Sequence, residues 1–115
     1  MNRLLNQRDV SSEELEVLLR ERTEGREEFL LVDVREDREF QISRLRGVDL
    51  LKPTSKFQNW VDEFLKETKD KIVILTCRTG NRSGQLQDIL TRRGHPHVIN
   101  HVGGIVSYRG EIEKG

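Results

Sequence analysis

Apolar positions in this chain alternate between short continuous runs and helical stripes. Residues 29–34 (Phe-Leu-Leu-Val-Asp-Val) and 72–76 (Ile-Val-Ile-Leu-Thr) are apolar on both faces, as strands inside a parallel sheet are. Residues 97–101 read as another strand, 47–51 as a shorter one and 8–10 as a short edge strand. Helical stripes separate them. Ser11 and Glu14 fit a capping box ahead of Leu15, Leu18 and Leu19, with Gly25 as the stop. Residues 36–41 have room for one or two turns. Pro53 opens the most regular helix, with Phe57, Trp60, Val61, Phe64 and Leu65 on one stripe. Those rings on a single stripe read as core, not as a stacking platform. Ser83 opens a further helix carrying Leu86, Ile89 and Leu90, with Gly94 as the stop.

Strands alternating with helices predict an α/β domain over residues 1–115, with a mainly parallel sheet of about five strands. Crossovers should be right-handed and helices should cover both faces. Ligands of such sheets bind beyond the strand C-termini. Asp33, Arg35 and Cys77 fall at such ends, and one crevice would gather them with Gly103 and Gly104.

Composition narrows the function. The chain of 115 residues has 20 basic and 20 acidic side chains and no net charge. That balance argues against a general nucleic-acid or membrane-surface role, since both need a basic excess. No apolar run approaches a membrane span. Residues 1–5 contain an Arg but no apolar core behind it, so no signal peptide is expected. One cysteine excludes an internal disulfide and fits a reducing compartment. The expectation is a cytoplasmic protein.

That cysteine carries the candidate chemistry. Cys77 ends a strand and precedes a helix, in the loop Cys-Arg-Thr-Gly-Asn-Arg-Ser. Amides at a helix start lack internal partners and carry partial positive charge. Arg78 and Arg82 add two full charges. All favour thiolate, the nucleophilic form, in an anion-binding cradle. The alternative is a small buried hydrophobe, against which the flanking arginines speak. Asp33 and Arg35 could act on substrate or form an ion pair that fixes the strand end. His95, His97 and His101 lack partners at metal-ligand spacing and read as surface or loop histidines. Gly103-Gly104 is either a close approach to ligand or a positive-φ turn.

The residues 77–83 resemble the active-site loop of the rhodanese (thiosulfate sulfurtransferase) superfamily. Leu31-Val-Asp-Val-Arg-Glu36, followed by Glu39-Phe40, is similar to that family's first signature. Val102-Gly-Gly-Ile105 with Tyr108 is similar to its closing segment, where Trp is commoner than Tyr. The match is to compact single-domain members. After the first signature the family commonly has Gly-His-Ile-x-Gly-Ala. Here Ser43-Arg44-Leu45-Arg46-Gly47-Val48 keeps only Gly47 and the apolar positions.

The resemblance implies a sulfurtransferase. Cys77 would take the outer sulfur of an anionic donor such as thiosulfate, and the persulfide would pass to cyanide, a thiol or a protein acceptor. No cofactor and no metal are expected, and the charge balance leaves neither nucleic acid nor membrane as partner. Arg78, Thr79, Gly80, Asn81, Arg82 and Ser83 would form the cradle, with the two arginines attracting the donor's sulfonate. Gly80 would let the backbone bend around the sulfur. Cysteine phosphatases use a similar loop one residue longer. The tighter ring here suits one sulfur better than a tetrahedral phosphate. A sulfur carrier serving a partner protein, or a non-catalytic binding module, are the other readings the family allows.

Overall fold

The computed structural model describes residues 2–115; Met1, where the leader reading begins, lies outside them. Arg3–Asn6 forms a 3-10 turn that puts Leu5 into the core. The chain then runs β1 (Asp9–Val10), α1 (Ser12–Thr23), β2 (Leu30–Asp33), α2 (Asp37–Ile42), β3 (Ser43–Leu45), β4 (Leu50–Leu51), α3 (Phe57–Thr68), β5 (Val73–Thr76), α4 (Asn81–Arg92), β6 (Val98–His101), α5 (Gly104–Ser107) and β7 (Ile112–Lys114). Five strands form a parallel sheet in the order β1-β6-β5-β2-β4.

Side-chain alternation divides this sheet between two cores. Leu31, Ile74 and Ile99 are register partners and face α1, against Leu15, Leu18 and Leu19. Val32, Val73, Leu75 and Val98 face α3 and α4, against Val61, Phe64, Leu86 and Leu90. Both faces are therefore covered, and β5 is buried along its whole length. The α1 capping box forms as its sequence requires. The Glu14 amide donates to Ser11 Oγ at 3.1 Å, and Glu14 Oε1 accepts from the Ser11 amide at 2.8 Å. In α3, Trp60 stacks edge-on against Phe57 and Phe64 and donates its indole N–H to the Pro53 carbonyl at 2.8 Å.

Three features depart from the sequence reading. Residues 43–45 and 112–114 pair as a two-stranded antiparallel ribbon outside the main sheet. Helix α4 begins at Asn81, two residues before Ser83, because Gly80 supplies the left-handed cap at φ 97°. The apolar stripe starts only after that first polar turn, so periodicity misses it. The histidines are the third departure. His101 is fully buried in β6, and His95, in the loop that precedes that strand, is nearly so; neither lies on the surface. Among the described residues no helix is long and apolar enough to cross a membrane.

Candidate active site

The site is built at the C-terminal end of the central strand. Strand β5 delivers Cys77, the chain turns through Arg78, Thr79 and Gly80, and α4 starts at once. Gly80 is required here twice over. Its φ of 97° is one that side chains rarely adopt. A Cβ at this position would also stand 3.0 Å from the Gly103 amide nitrogen.

The Gly103-Gly104 turn lies beneath the loop and fixes it from below. The Ile105 amide donates to the Cys77 carbonyl at 2.9 Å, and the Val106 amide to the Arg78 carbonyl at 3.2 Å. With its carbonyls held downward, the loop presents N–H groups to the sulfur. Both glycines have positive φ, and their close approach is to the loop backbone.

Cys77 is 1% exposed and packs into the α3–α4 core, yet its sulfur is not surrounded by carbon alone. The Gly80 amide donates to Sγ at 3.1 Å, and Ser83 Oγ lies 3.4 Å away. Burial by itself raises the thiol's pKa. The Ser83 hydroxyl and the backbone amides of Ser83, Gly80 and Thr79 outweigh it, and the net shift is downward. A lowered pKa in a buried thiol favours the ionised form more than burial alone would allow.

Ser83 is itself aimed by its neighbours. Its hydroxyl lies 2.6 Å from Asn100 Oδ1, whose Nδ2 donates to the Gly80 carbonyl at 3.3 Å. Asn100 thus joins both ends of the loop. Sequence reasoning placed Asn100 on the last strand and assigned it no role. A polar side chain between Val98 and the buried end of β6, on the side of α4, was the available signal.

Arg82 does not do what its charge suggests. Arg82 is committed to Glu39 of α2 by two bonds, Nη1–Oε1 at 2.7 Å and Nη2–Oε2 at 2.9 Å. This ion pair holds the Glu39 carboxyl down at about 2, with the Arg82 hydrogen bond as the largest cause. The groups that depress Cys77 most are amides and a hydroxyl, not guanidinium groups. Arg78, Thr79 and Asn81 are exposed at the rim.

Asp33 and Arg35 form the buried ion pair. Arg35 Nε donates to Asp33 at 3.1 and 3.0 Å, and Nη2 donates at 2.8 Å to Asp33 and at 2.7 Å to the Ser43 carbonyl. At 1% and 4% exposure they brace the end of β2 beside the loop and do not reach the sulfur. Among the described residues no group of three His, Cys, Asp or Glu side chains could hold a metal.

A polar chain runs under the site. His101 Nδ1 lies 2.8 Å from Thr76 Oγ1, next to Cys77, and Nε2 lies 2.8 Å from Ser12 Oγ. Ser12 in turn bonds Ser107 of α5, which caps the Gly104 carbonyl. Burial pushes the His101 pKa down to about 4 from 6.5. The folded state therefore refuses a proton that the unfolded chain accepts. This contribution is whole above pH 6.5 and is lost as pH falls toward 4. Urea unfolding should show stability dropping by about 2 kcal/mol between pH 7.5 and pH 5, from this group alone. His101→Gln should flatten that slope. An unchanged slope in the variant would remove His101 as its source.

A family model for the rhodanese-like domain matches residues 14–111. The chain is 32% identical over 88 residues to Rhodanese-like/PpiC domain-containing protein 12, chloroplastic, of Arabidopsis thaliana, covering 76% of this chain and 29% of that protein. It is 27% identical to the adenylyltransferase and sulfurtransferase UBA4 of Candida albicans, with 78% and 22% covered. It is 31% identical to the tRNA uridine(34) hydroxylase of Acinetobacter baylyi, with 76% and 28% covered. The chain spans under a third of the length of these relatives. A crystal structure of a rhodanese-like domain protein from Staphylococcus aureus superposes with a TM-score of 0.75 at 23% identity, covering 95% of this chain and 99% of that one. Neighbour, topology and matched residues agree, and the chain belongs to the rhodanese-like domain family.

Proposed function

We propose that this domain is a sulfurtransferase that carries sulfane sulfur as a persulfide on Cys77. The observation that supports it most directly is the set of N–H groups turned on one sulfur: the Gly80 amide donates at 3.1 Å and the Ser83 and Thr79 amides act with it, on a thiol whose pKa is lowered despite burial.

In the first half-reaction the Cys77 thiolate attacks the outer sulfur of a donor. A new S–S bond forms, the donor's S–S bond breaks, and with thiosulfate the pair leaves on sulfite. The terminal persulfide sulfur then carries the negative charge. Amides preorganised in the loop stabilise that charge as an oxyanion hole stabilises oxygen. In the second half-reaction an acceptor thiolate or cyanide attacks the terminal sulfur, and Cys77 leaves as thiolate. Transfer in two covalent steps gives ping-pong kinetics. No cofactor enters either step. Arg78 at the rim meets the anionic donor. A protein acceptor would make the same chemistry that of a sulfur carrier. A binding module has no use for amides aimed at a thiol.

Intact mass measures the intermediate. After thiosulfate the protein should gain one sulfur, and after cyanide it should lose it. Cys77→Ser should take up none. A chain that gains no mass from thiosulfate or from a hydropersulfide would leave the binding-module reading standing.

A further inference from the structure

Among the loop's charged side chains, only Arg82 is tied to a partner that is not part of the loop. We propose that Glu39 sets the donor specificity of the Cys77 site: by neutralising Arg82 it leaves Arg78 as the loop's one uncommitted cation, so that donors with a single negative charge gain on the dianion thiosulfate. This inference rests on the sulfur-transfer reading and names the class of donor that the same site takes.

Four observations carry it. Glu39 grips Arg82 with both carboxylate oxygens at 2.7 and 2.9 Å, a geometry that uses up the face of the guanidinium suited to a sulfonate. Glu39 is aimed by its own backbone. Glu36 caps α2, and the Glu36 amide donates to Glu39 Oε1 at 3.0 Å. The pair is about 30% exposed on each side, so it is reached by solvent and not sealed in the core. Arg82 also lies within electrostatic range of the Cys77 sulfur, so what neutralises Arg82 is felt at the reacting atom.

Two nearby cations are already paired, and Glu36 adds a negative charge that acts on Arg82. Arg35 is spent on Asp33, Lys56 pairs with Asp37 at 3.7 Å, and Glu36 accepts from the Ser55 amide at 3.0 Å. Arg78 has no ion pair among the described residues and is exposed. A bidentate pair presents almost no net charge to an approaching donor. Thiosulfate then meets one cation for its two charges. A hydropersulfide or polysulfide monoanion meets one for one.

The test removes Glu39's charge and reads the response against probe charge. Glu39→Gln keeps the shape and the capping acceptor. Cys77 is assayed with thiosulfate (two charges), methanethiosulfonate (one), and the alkylating pair iodoacetate (one) and iodoacetamide (none), at a pH where the thiolate is fully formed. The variant should raise kcat/KM for thiosulfate about tenfold and for methanethiosulfonate about threefold. Iodoacetate alkylation should quicken about threefold, and iodoacetamide should not change. A grade that follows charge is something a merely structural role cannot produce. Removing the pair together, in Glu39→Gln/Arg82→Gln, should return the thiosulfate-to-methanethiosulfonate ratio to within about twofold of the native value.

If the four probes shift in parallel, or thiosulfate turnover falls, the proposal is overturned. A double variant that loses thiosulfate selectively would also overturn it, because Arg82 would then be binding the donor. The alkylation arm needs no sulfur transfer. Should neither sulfur donor react while iodoacetate still quickens over iodoacetamide, the charge assignment stands and the sulfurtransferase reading falls.

Discussion

Gly104→Ala should abolish sulfur uptake by the folded protein, reducing it at least about a hundredfold, and should lower unfolding free energy by about 2–4 kcal/mol. The reason is local and steric. A Cβ on Gly104 would lie 2.2 Å from the Arg78 carbonyl oxygen, 2.4 Å from its carbon and 2.6 Å from the Thr79 nitrogen. These are backbone atoms, so no rotamer change relieves the clash. The loop must lift away, and with it go the bonds from Ile105 and Val106 that hold the Cys77 and Arg78 carbonyls. The Thr79 and Gly80 amides then lose their aim at the sulfur. Gly94→Ala is the matched control. Its φ of 101° is positive as well, but nothing lies within 4 Å of the added methyl. It should cost about 1 kcal/mol and leave the activity of the folded protein unchanged. Equal behaviour of the two variants, in melting and in persulfide formation, would show that loop placement is not what Gly104 provides.

That contrast marks what the amino-acid order discloses. Gly80, Gly103 and Gly104 announce turns, but which of them supports the Cys77 loop depends on a contact between segments far apart in the chain. The same holds across the molecule. The runs at 29–34 and 72–76 declare β2 and β5 because burial on both faces leaves no other pattern. Ribbon strands β3 and β7, Ser-Arg-Leu and Ile-Glu-Lys, are mostly polar and pair only with each other, so no periodicity betrays them. Cys77 stands out in its loop as the candidate nucleophile. Part of its acidity is legible too: the loop amides expected to favour thiolate do so, through Ser83, Gly80 and Thr79, whereas the two arginines counted beside them are not among the largest causes. Formal charge says nothing about whether a side chain is already paired, and Glu39, thirty-eight places before Cys77 in the chain, is what pairs Arg82. His101 misled for a related reason. A histidine with a hydroxyl on each ring nitrogen is satisfied when neutral and can be buried, and the hydroxyl of Ser12 lies in another element altogether.

Arg35→Met separates bracing from substrate contact. Asp33 accepts from Arg35 through the backbone amide at 2.9 Å as well as through the side chain, and at 1% exposure it has no water to replace the guanidinium. Removing Arg35 strands a carboxylate in the core and frees the Ser43 carbonyl. The expected loss is about 3–5 kcal/mol in denaturant unfolding at neutral pH. Replacing both partners, as Asp33→Asn/Arg35→Met, removes the orphaned charge and should recover about half of that loss. Acid should do the same for the single variant. Protonating the stranded carboxylate removes its uncompensated charge, so the variant's deficit against the native protein shrinks in acid. Activity supplies the second axis. If the pair only braces β2, the fraction of Arg35→Met that remains folded should form the Cys77 persulfide within about threefold of the native rate. A loss beyond about a hundredfold in fully folded protein would instead place Arg35 on the donor, and the ion pair with Asp33 would have to open during the reaction.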